Sequence, residues 1–402
     1  MGREQPNFAE KVTAELRRRG LTEAIEYDDT EFRLTLESGQ SFLLANAFAD
    51  WQQAPRLRRG AVLRRYVDGY EEMALAALPD SVDRARANLL PRVRDLQYYA
   101  VTEYRLATAG DTSGWLSYQA LNDQLAVEIV YDRPNSVTSV HPERLQAWGL
   151  SFDEALRTAL ANLRERTTAT FTRHGDGLFV SPWRDAYDTS RLLLPELVAR
   201  LEVRGDPVAL LPHRDHLIVT GSDDAGGLRR AAELAEPLLA DQRRETGYAF
   251  SLRDGAWLHF MPPDDHPART AFANLVRITQ TLDYNDQQQA LIERLEKEGK
   301  ADDVFVATAM LTEDEATGEL WSVCSWAKGV PTLLPQADRI AFPRGAGAGA
   351  PRIDTVPWKD AIPHVADLMK AQGLRPERWF VDSFPDAETM ARLESLAKPI
   401  GE

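Results

Sequence analysis

The hydrophobic period of this chain changes repeatedly between the helical and the strand value, and no other feature limits the fold as strongly. Phe8, Val12 and Leu16 recur at helical spacing. Apolar and polar residues then alternate through residues 25–44, which is typical of half-buried strands. We therefore predict an α+β protein, built from small α/β modules with short mixed or antiparallel sheets flanked by helices.

Local signals predict further elements along the chain. Asn7 with Glu10, and Ser151 with Glu154, have the spacing of a helix-capping box. A β-branched and aromatic run predicts a strand at residues 97–104. Both helices and strands are thus expected in the first 163 residues.

The second half of the chain carries stronger signals. Alternation on both sides of Asp254-Gly255 predicts a hairpin, because an Asp-Gly pair adopts the positive φ angles of a two-residue turn. Another hairpin is predicted at residues 207–220, a helical stretch at 188–201 and a long helix at 268–300.

Composition shifts indicate three domains. Six of the seven lysines follow residue 296, and a Pro-rich, acidic segment occupies residues 261–265. We predict boundaries that give domains at residues 1–135, 136–263 and 264–402. The tripeptide Leu-Leu-Pro also recurs before three aspartates, Asp95, Asp215 and Asp338, as three related modules would explain.

The formal charge of −15 disfavours nucleic acids and anionic membranes as partners, because both surfaces are negative. Cys324 is the single cysteine, so neither an intramolecular disulfide nor a multi-cysteine zinc site can form. The first residues show no apolar core of a signal peptide, and no apolar run has the length of a spanning helix. We expect a cytoplasmic protein.

Two runs, Asp185-Ala-Tyr-Asp-Thr-Ser-Arg-Leu192 and residues 205–219 with their Leu-Leu-Pro-His-Arg-Asp segment, resemble the YtpQ-like family, a bacterial family of unknown function. Residues 90–94, residues 145–150 and the N-terminal strands resemble the same family, so that the likeness covers about residues 5–262. The resemblance implies a bacterial cytoplasmic protein. It implies no activity, substrate or cofactor, and it leaves the residues after Pro262 outside.

The first candidate site follows the strand that ends at Pro212. His213 and Asp215 are candidate catalytic residues, as a base with its orienting carboxylate, and Arg214 and His216 are candidate binding residues. A partial metal site would also fit these residue types. The alternative, which we favour, is an ordinary hairpin turn.

The second candidate site lies upstream. Asp185 and Asp188 are candidate catalytic carboxylates, while Trp183 and Arg191 are candidate binding residues. The simpler interpretation makes Asp188 a helix N-cap. If the two candidate sites met in one pocket, the catalytic hypothesis would gain weight.

No sequence signature of a common enzyme class is present: the chain lacks a nucleophile elbow, a His-Glu-x-x-His helix and a dinucleotide-binding loop. Five tryptophans lie beside turn-rich segments, where exposed aromatic residues would suit a protein interface: Trp51, Trp115, Trp183, Trp358 and Trp379. A Gly-Ala run at residues 345–350 has the composition of a flexible linker.

Our leading hypothesis from the sequence is an interaction or adaptor protein that binds a protein partner or itself. The first alternative is a hydrolase, with or without a metal, that uses the His213 and Asp185 clusters. The second is a sensor that holds a small ligand between modules. The sequence predicts no particular cofactor.

Overall fold

A computed structural model describes residues 4–29, 32–38, 41–75, 78–108, 116–343 and 355–398. Trp115 and the predicted linker at residues 345–350 lie outside these ranges. The described chain is a mixed α+β protein with five short antiparallel or mixed sheets, which confirms the predicted class. No helix within the described ranges is long and apolar enough to span a bilayer.

The α-helices are α1 (Glu4–Arg18), α2 (Ala45–Gln53), α3 (Arg59–Leu75), α4 (Val82–Ala85), α5 (Leu96–Thr108), α6 (Pro142–Ala147), α7 (Phe152–Arg166), α8 (Pro195–Val198), α9 (Ala225–Ala235), α10 (Arg269–Lys297), α11 (Trp358–Val365) and α12 (Ala387–Leu396). Short 3-10 helices occupy Arg56–Arg58, Arg86–Asn88, Thr189–Leu193, Glu236–Ala240 and Ala366–Leu368.

The strands are β1 (Ile25–Asp28), β2 (Arg33–Leu36), β3 (Ser41–Leu43), β4 (Leu89–Asp95), β5 (Tyr118–Ala120), β6 (Leu125–Asp132), β7 (Val137–Ser139), β8 (Thr172–Arg173), β9 (Phe179–Val180), β10 (Pro207–His213), β11 (His216–Gly221), β12 (Ala249–Arg253), β13 (Ala256–Phe260), β14 (Phe305–Val306), β15 (Met310–Asp314), β16 (Glu319–Ser325), β17 (Thr332–Pro335), β18 (Arg339–Ala341), β19 (Thr355–Pro357), β20 (Lys370–Ala371) and β21 (Arg378–Val381).

The chain forms two compact units, each made of two segments. Unit 1 comprises Met1–Arg92 and Glu128–Thr168, and unit 2 comprises Val93–Val127 and Ala169–Glu402. The chain therefore enters unit 2 once, returns to unit 1 and then enters unit 2 again. The three sequence-based domains stay a prediction.

Unit 1 contains the predicted antiparallel meander β1-β2-β3. Its apolar face and the buried side of α1 form one core around Phe8, Val12 and Phe42. The capping box predicted at Asn7 is wrong, because α1 already includes Glu4 and Asn7 lies inside the helix.

The second predicted capping box, which opens α7 in unit 1, is confirmed. The Ser151 hydroxyl accepts the Glu154 N–H at 3.3 Å, and the Glu154 carboxylate accepts the Ser151 N–H at 2.9 Å. Two helix-terminal donors that have no partner within the helix are thereby satisfied.

In unit 2 the predicted strand at residues 97–104 is wrong, since these residues belong to α5. The Asp95 carboxylate accepts the Gln97 N–H at 2.8 Å, which supports a helix start. The buried Tyr99 and Val101 then pack in the protein interior, and α5 lies against α10. Tertiary packing here overrides the β propensity of an aromatic run.

Both predicted hairpins are present in the six-stranded sheet of unit 2, whose order is β13-β12-β10-β11-β9-β8. Asp254 and Gly255 have φ angles of 49° and 79°, as the two-residue turn requires. The helix predicted at residues 188–201 is instead a 3-10 turn followed by the four-residue α8, with Pro195 at the start of α8.

The long helix α10 matches the prediction closely, and it packs against both the six-stranded sheet and β16. Two four-stranded sheets, β14-β17-β21-β20 and β15-β16-β18-β19, complete unit 2. The fifth sheet has the order β4-β6-β5, with β7 beside β6.

Each Leu-Leu-Pro tripeptide lies in a buried strand, β4, β10 or β17. The pairing differs, because β10 has two antiparallel neighbours whereas β17 has one parallel and one antiparallel neighbour. The relation among three modules stays a prediction.

Candidate functional site

The two sequence-predicted clusters lie together in unit 2. Residues 213–216 form the turn between β10 and β11, and Asp185 lies in the segment that follows β9. The Asp215 carboxylate accepts the Ala186 N–H at 2.8 Å. Arg184 and Ala186 have φ angles of 51° and 68°, which non-glycine residues adopt rarely.

Arg191 fixes the upstream cluster. Its fully buried guanidinium donates to both Asp185 carboxylate oxygens at 2.8 Å and lies 4.1 Å from the centre of the Trp183 ring. Burial disfavours ionisation of Asp185, but the Arg191 hydrogen bonds outweigh it and lower the Asp185 pKa. Asp185 is therefore a paired anion and a poor proton acceptor.

Asp188 occupies the N-cap position of the 3-10 helix Thr189–Leu193, as the simpler interpretation expected, but it does not act as a side-chain cap. Its side chain makes no capping bond to the following turn and instead accepts the Asp185 N–H at 3.3 Å. The residue is fully buried. Burial raises its pKa, against hydrogen bonding from Ser181.

His213 takes part in the turn. Its Nδ1 accepts the Asp215 N–H at 3.0 Å, and its Nε2 lies 3.4 Å from a carboxylate oxygen of Asp241. These partners assign the proton to Nε2. The Asp215 carboxylate is 3.9 Å from Nδ1, beyond hydrogen-bond reach, so the predicted base and orienting carboxylate do not form a hydrogen-bonded dyad.

The two remaining candidates complete this cluster. His216 Nδ1 lies 3.4 Å from His213 Nδ1, and Arg214 Nε lies 3.7 Å from the Asp215 carboxylate. No group of three or more His, Cys, Asp or Glu residues in the described part of the chain has a geometry that could hold a metal ion. The contacts support the hairpin-turn interpretation.

We expect both imidazoles to stay neutral between pH 7 and 8. Burial lowers the pKa of His213, and burial together with the charge of Arg184 lowers the pKa of His216 to about 4. NMR titration of the imidazole Cε1–H signals measures this directly. The urea-unfolded protein is the control, with midpoints near about 6.5; a native midpoint at or above that value for either residue would contradict the prediction.

A second site in unit 2 has no counterpart in the sequence predictions. It is a polar cavity of 540 Å³. Its wall includes two aspartates, one tyrosine and three glutamines that could contact a ligand: Asp95, Asp283, Tyr248, Gln97, Gln124 and Gln280. The rest of the wall consists of Ser322 on β16, residues 336–338 and residues 374–377.

Asp95 stands at the end of β4 and is only 4% exposed. One carboxylate oxygen accepts the Gln97 N–H at 2.8 Å, and the other accepts the Gln124 side-chain amide at 2.6 Å. Burial raises its pKa, although these hydrogen bonds oppose the rise. The ionised form of Asp95 is thus stabilised by two hydrogen bonds, while its burial is unfavourable.

Asp283 lies on α10 and also lines the cavity. Burial and then the nearby charge of Asp95 raise its pKa well above the ordinary value. No hydrogen-bond donor in the described chain contacts its carboxyl group. Next to it, Gln280 donates to the Tyr248 hydroxyl at 2.9 Å, and burial raises the Tyr248 pKa to about 12.

The chain has no match among known families. No protein-family model matches it, and no curated protein or solved structure does. The resemblance to the YtpQ-like family stays a prediction.

One sequence signal did bear on the cavity. Two of the three aspartates that follow Leu-Leu-Pro, Asp95 and Asp338, line it. Asp338 accepts the backbone N–H and the hydroxyl of Ser322 at 2.8 and 2.7 Å, and the guanidinium of Arg277 at 3.1 Å. Asp338 therefore holds the wall together, whereas Asp283, which no motif marks, faces the cavity without a donor.

Proposed function

We propose that this protein binds a small polar molecule in the cavity of unit 2 and acts as a small-ligand sensor. The observation that carries the proposal is a polar cavity whose wall includes Asp95 and Asp283, the second of which has no hydrogen-bond donor in the described part of the chain. Its volume of 540 Å³ lies in the range of small-molecule sites, about 300–1,000 Å³.

The lining supports a ligand held by hydrogen bonds. Gln97, Gln124 and Gln280 bring amide groups that both donate and accept. Tyr248 offers a hydroxyl that already accepts from Gln280 and retains its own proton for donation. Convergent polar groups of this kind fix the orientation of a bound molecule.

The adaptor hypothesis stays a prediction, and one of its supports is weaker. Trp51, Trp183, Trp358 and Trp379 are each partly buried. The ring centres of Trp51 and Phe8 lie 5.5 Å apart, and those of Trp358 and Trp379 lie 5.2 Å apart. These partly buried side chains therefore leave less aromatic surface for a partner than the sequence suggested.

The hydrolase hypothesis also stays a prediction. Asp185 is engaged by Arg191, and His213 accepts a turn N–H. Neither group is free for proton transfer in this arrangement. Ligand binding in the cavity needs no rearrangement of those contacts.

We expect Gln280→Trp to abolish ligand retention, because the indole would occupy the cavity. Native mass spectrometry of protein purified gently from its own host measures the retained molecule. Gln289→Trp is the matched control, since Gln289, like Gln280, is exposed on helix α10 but does not line the cavity. Wild type and Gln289→Trp should carry the same small-molecule mass; the proposal fails if wild type carries none or if Gln280→Trp carries as much.

A further inference from the structure

The cavity has an excess of negative groups. Four acids and one arginine belong to its wall: Asp95, Asp283, Asp338, Glu377 and Arg375. Which of these charges a ligand would meet depends on what already neutralises each one.

Two of the acids are already satisfied. Asp338 is paired with Arg277 and Ser322. Glu377 accepts three backbone N–H groups through one carboxylate oxygen, those of Gln372, Gly373 and Arg378, at 2.8, 3.0 and 3.0 Å. Neither carboxylate needs a ligand.

The remaining acids, Asp95 and Asp283, form no salt bridge within the described residues, and Arg244 acts on Asp283 only through its charge. The charge of Arg375 lowers the Asp95 pKa, but less than the hydrogen bonds from Gln97 and Gln124 do. Arg375 Nη1 donates to the Asp123 carbonyl at 2.9 Å, and the residue is exposed. The part of the cavity wall formed by Asp95 and Asp283 is therefore short of positive charge.

A neutral ligand would leave this deficit in place, whereas a cation would remove it. A bare metal ion is a poor match, because Ca²⁺ takes six to eight oxygen ligands and the described residues contain no metal-binding group. An organic ammonium group donates three N–H bonds and brings a carbon frame that fills a cavity of 540 Å³.

We propose that the ligand carries a protonated amine, which Asp283 and Asp95 bind together in the cavity. This inference rests on the proposed function, and it names the chemical class of the ligand. The amine gives Asp283 the hydrogen-bond donor that it lacks, while Gln97 and Gln124 hold Asp95 in place.

Binding of the amine releases a proton. Asp95 and Asp286 act on Asp283 to keep it protonated, and Arg244 acts in the opposite sense; Tyr248 also faces it. Arg244 is paired with Asp286 at 2.6 Å. The cation binds the ionised carboxylate, so affinity rises with pH, by up to about tenfold per pH unit while Asp283 is still protonated.

The test is isothermal titration calorimetry of the full chain with four probes on one four-carbon skeleton. Butane-1,4-diamine and 4-aminobutanoate carry amines, butane-1,4-diol is neutral and succinate is an anion. We expect both amines to bind at pH 8, more weakly at pH 6, and the diol and succinate to show no binding. The amines stay protonated at both values, since alkylamines have pKa values of about 10.

Asp283→Asn keeps the shape of the side chain and removes its charge. We expect it to weaken amine binding at least about tenfold. Asp302→Asn, the same change at an exposed position of unit 2, should leave the affinity within about twofold. Equal circular dichroism spectra establish that the variants are folded.

The outcomes separate this inference from the proposed function. Tighter binding of the diol or succinate, or unchanged amine binding in Asp283→Asn, overturns the amine inference while the cavity stays a ligand site. Binding of none of the four probes also overturns it. The proposed function falls only if wild-type protein from its host retains no molecule that Gln280→Trp loses.

Discussion

Arg378→Leu is expected to lower the free energy of unfolding by about 3–5 kcal/mol. Arg378 is fully buried at the start of β21. Its guanidinium donates to the Gln287 side chain at 2.6 Å and to the carbonyls of Ala307, Leu333 and Tyr284 at 2.7, 3.0 and 3.0 Å. One side chain thus joins α10, β17 and the segment before β15.

Leucine would remove all of these donors and leave buried carbonyl oxygens without partners, each of which costs about 1–3 kcal/mol. Burial lowers the Arg378 pKa to about 10, so the side chain is still charged at pH 7. Lysine keeps the charge, but its single nitrogen cannot reproduce the planar fork. Arg378→Lys should therefore fall between wild type and Arg378→Leu.

Urea denaturation followed by circular dichroism measures the change. Arg392→Leu is the control, because Arg392 is exposed on α12 and pairs with Glu388, four residues earlier; such pairs contribute about 0.3–0.5 kcal/mol. A loss below about 1 kcal/mol for Arg378→Leu would show that the carbonyls find other donors.

Asp283→Asn is expected to stabilise the ligand-free protein at neutral and alkaline pH, by about 1–3 kcal/mol. Burial and the charge of Asp95 raise the Asp283 pKa in the folded state. The folded protein therefore holds a proton that the unfolded chain has released, and stability falls as pH rises through the folded-state value. Asparagine does not ionise, so this loss disappears.

The stability difference between Asp283→Asn and wild type depends on pH for the same reason. Below the unfolded pKa of an aspartate, about 3.9, both proteins carry an uncharged side chain and the difference should vanish. Urea midpoints of Asp283→Asn, Asp302→Asn and wild type between pH 4 and 8.5 measure it. A constant difference across this range, or a destabilised Asp283→Asn at pH 8, would show that Asp283 is not held protonated by its surroundings.

Arg378 and Asp283 have opposite effects on the stability of the folded protein. The Arg378 guanidinium makes four hydrogen bonds, and these connect strands and a helix. The Asp283 carboxyl group has no hydrogen-bond donor in the described part of the chain, and its ionisation costs stability. A costly polar group beside a cavity is typical of a functional site, where stability is given up for binding.

Local chemistry determined which elements the sequence predicted well. The turn at Asp254-Gly255 and the capping box at Ser151 each depend on residues within four positions, so that the sequence alone contains the relevant contacts. The strand predicted at residues 97–104 was wrong because the helix that they form packs against α10, which lies far along the chain. Intrinsic propensity is weaker than such packing.

The candidate sites show the same division. The turn residues His213 and Asp215 were found from their spacing, and the structure brings them beside Asp185 through the Ala186 N–H. The pairing of Asp95 with Asp283 was not found. A strand end and the middle of a long helix share no local pattern, and only the folded chain makes them neighbours in one cavity.

Unit 2 consists of two separate segments of the chain, and their order affects how the cavity is assembled during synthesis. Asp95, Gln97 and Gln124 belong to the segment Val93–Val127, whereas Tyr248, Gln280 and Asp283 belong to Ala169–Glu402. The ribosome releases the first wall long before its counterpart, with Glu128–Thr168 of unit 1 made in between. The pocket therefore closes late, as a contact of high sequence separation, and a gene fragment that begins after residue 168 would encode only one side of it.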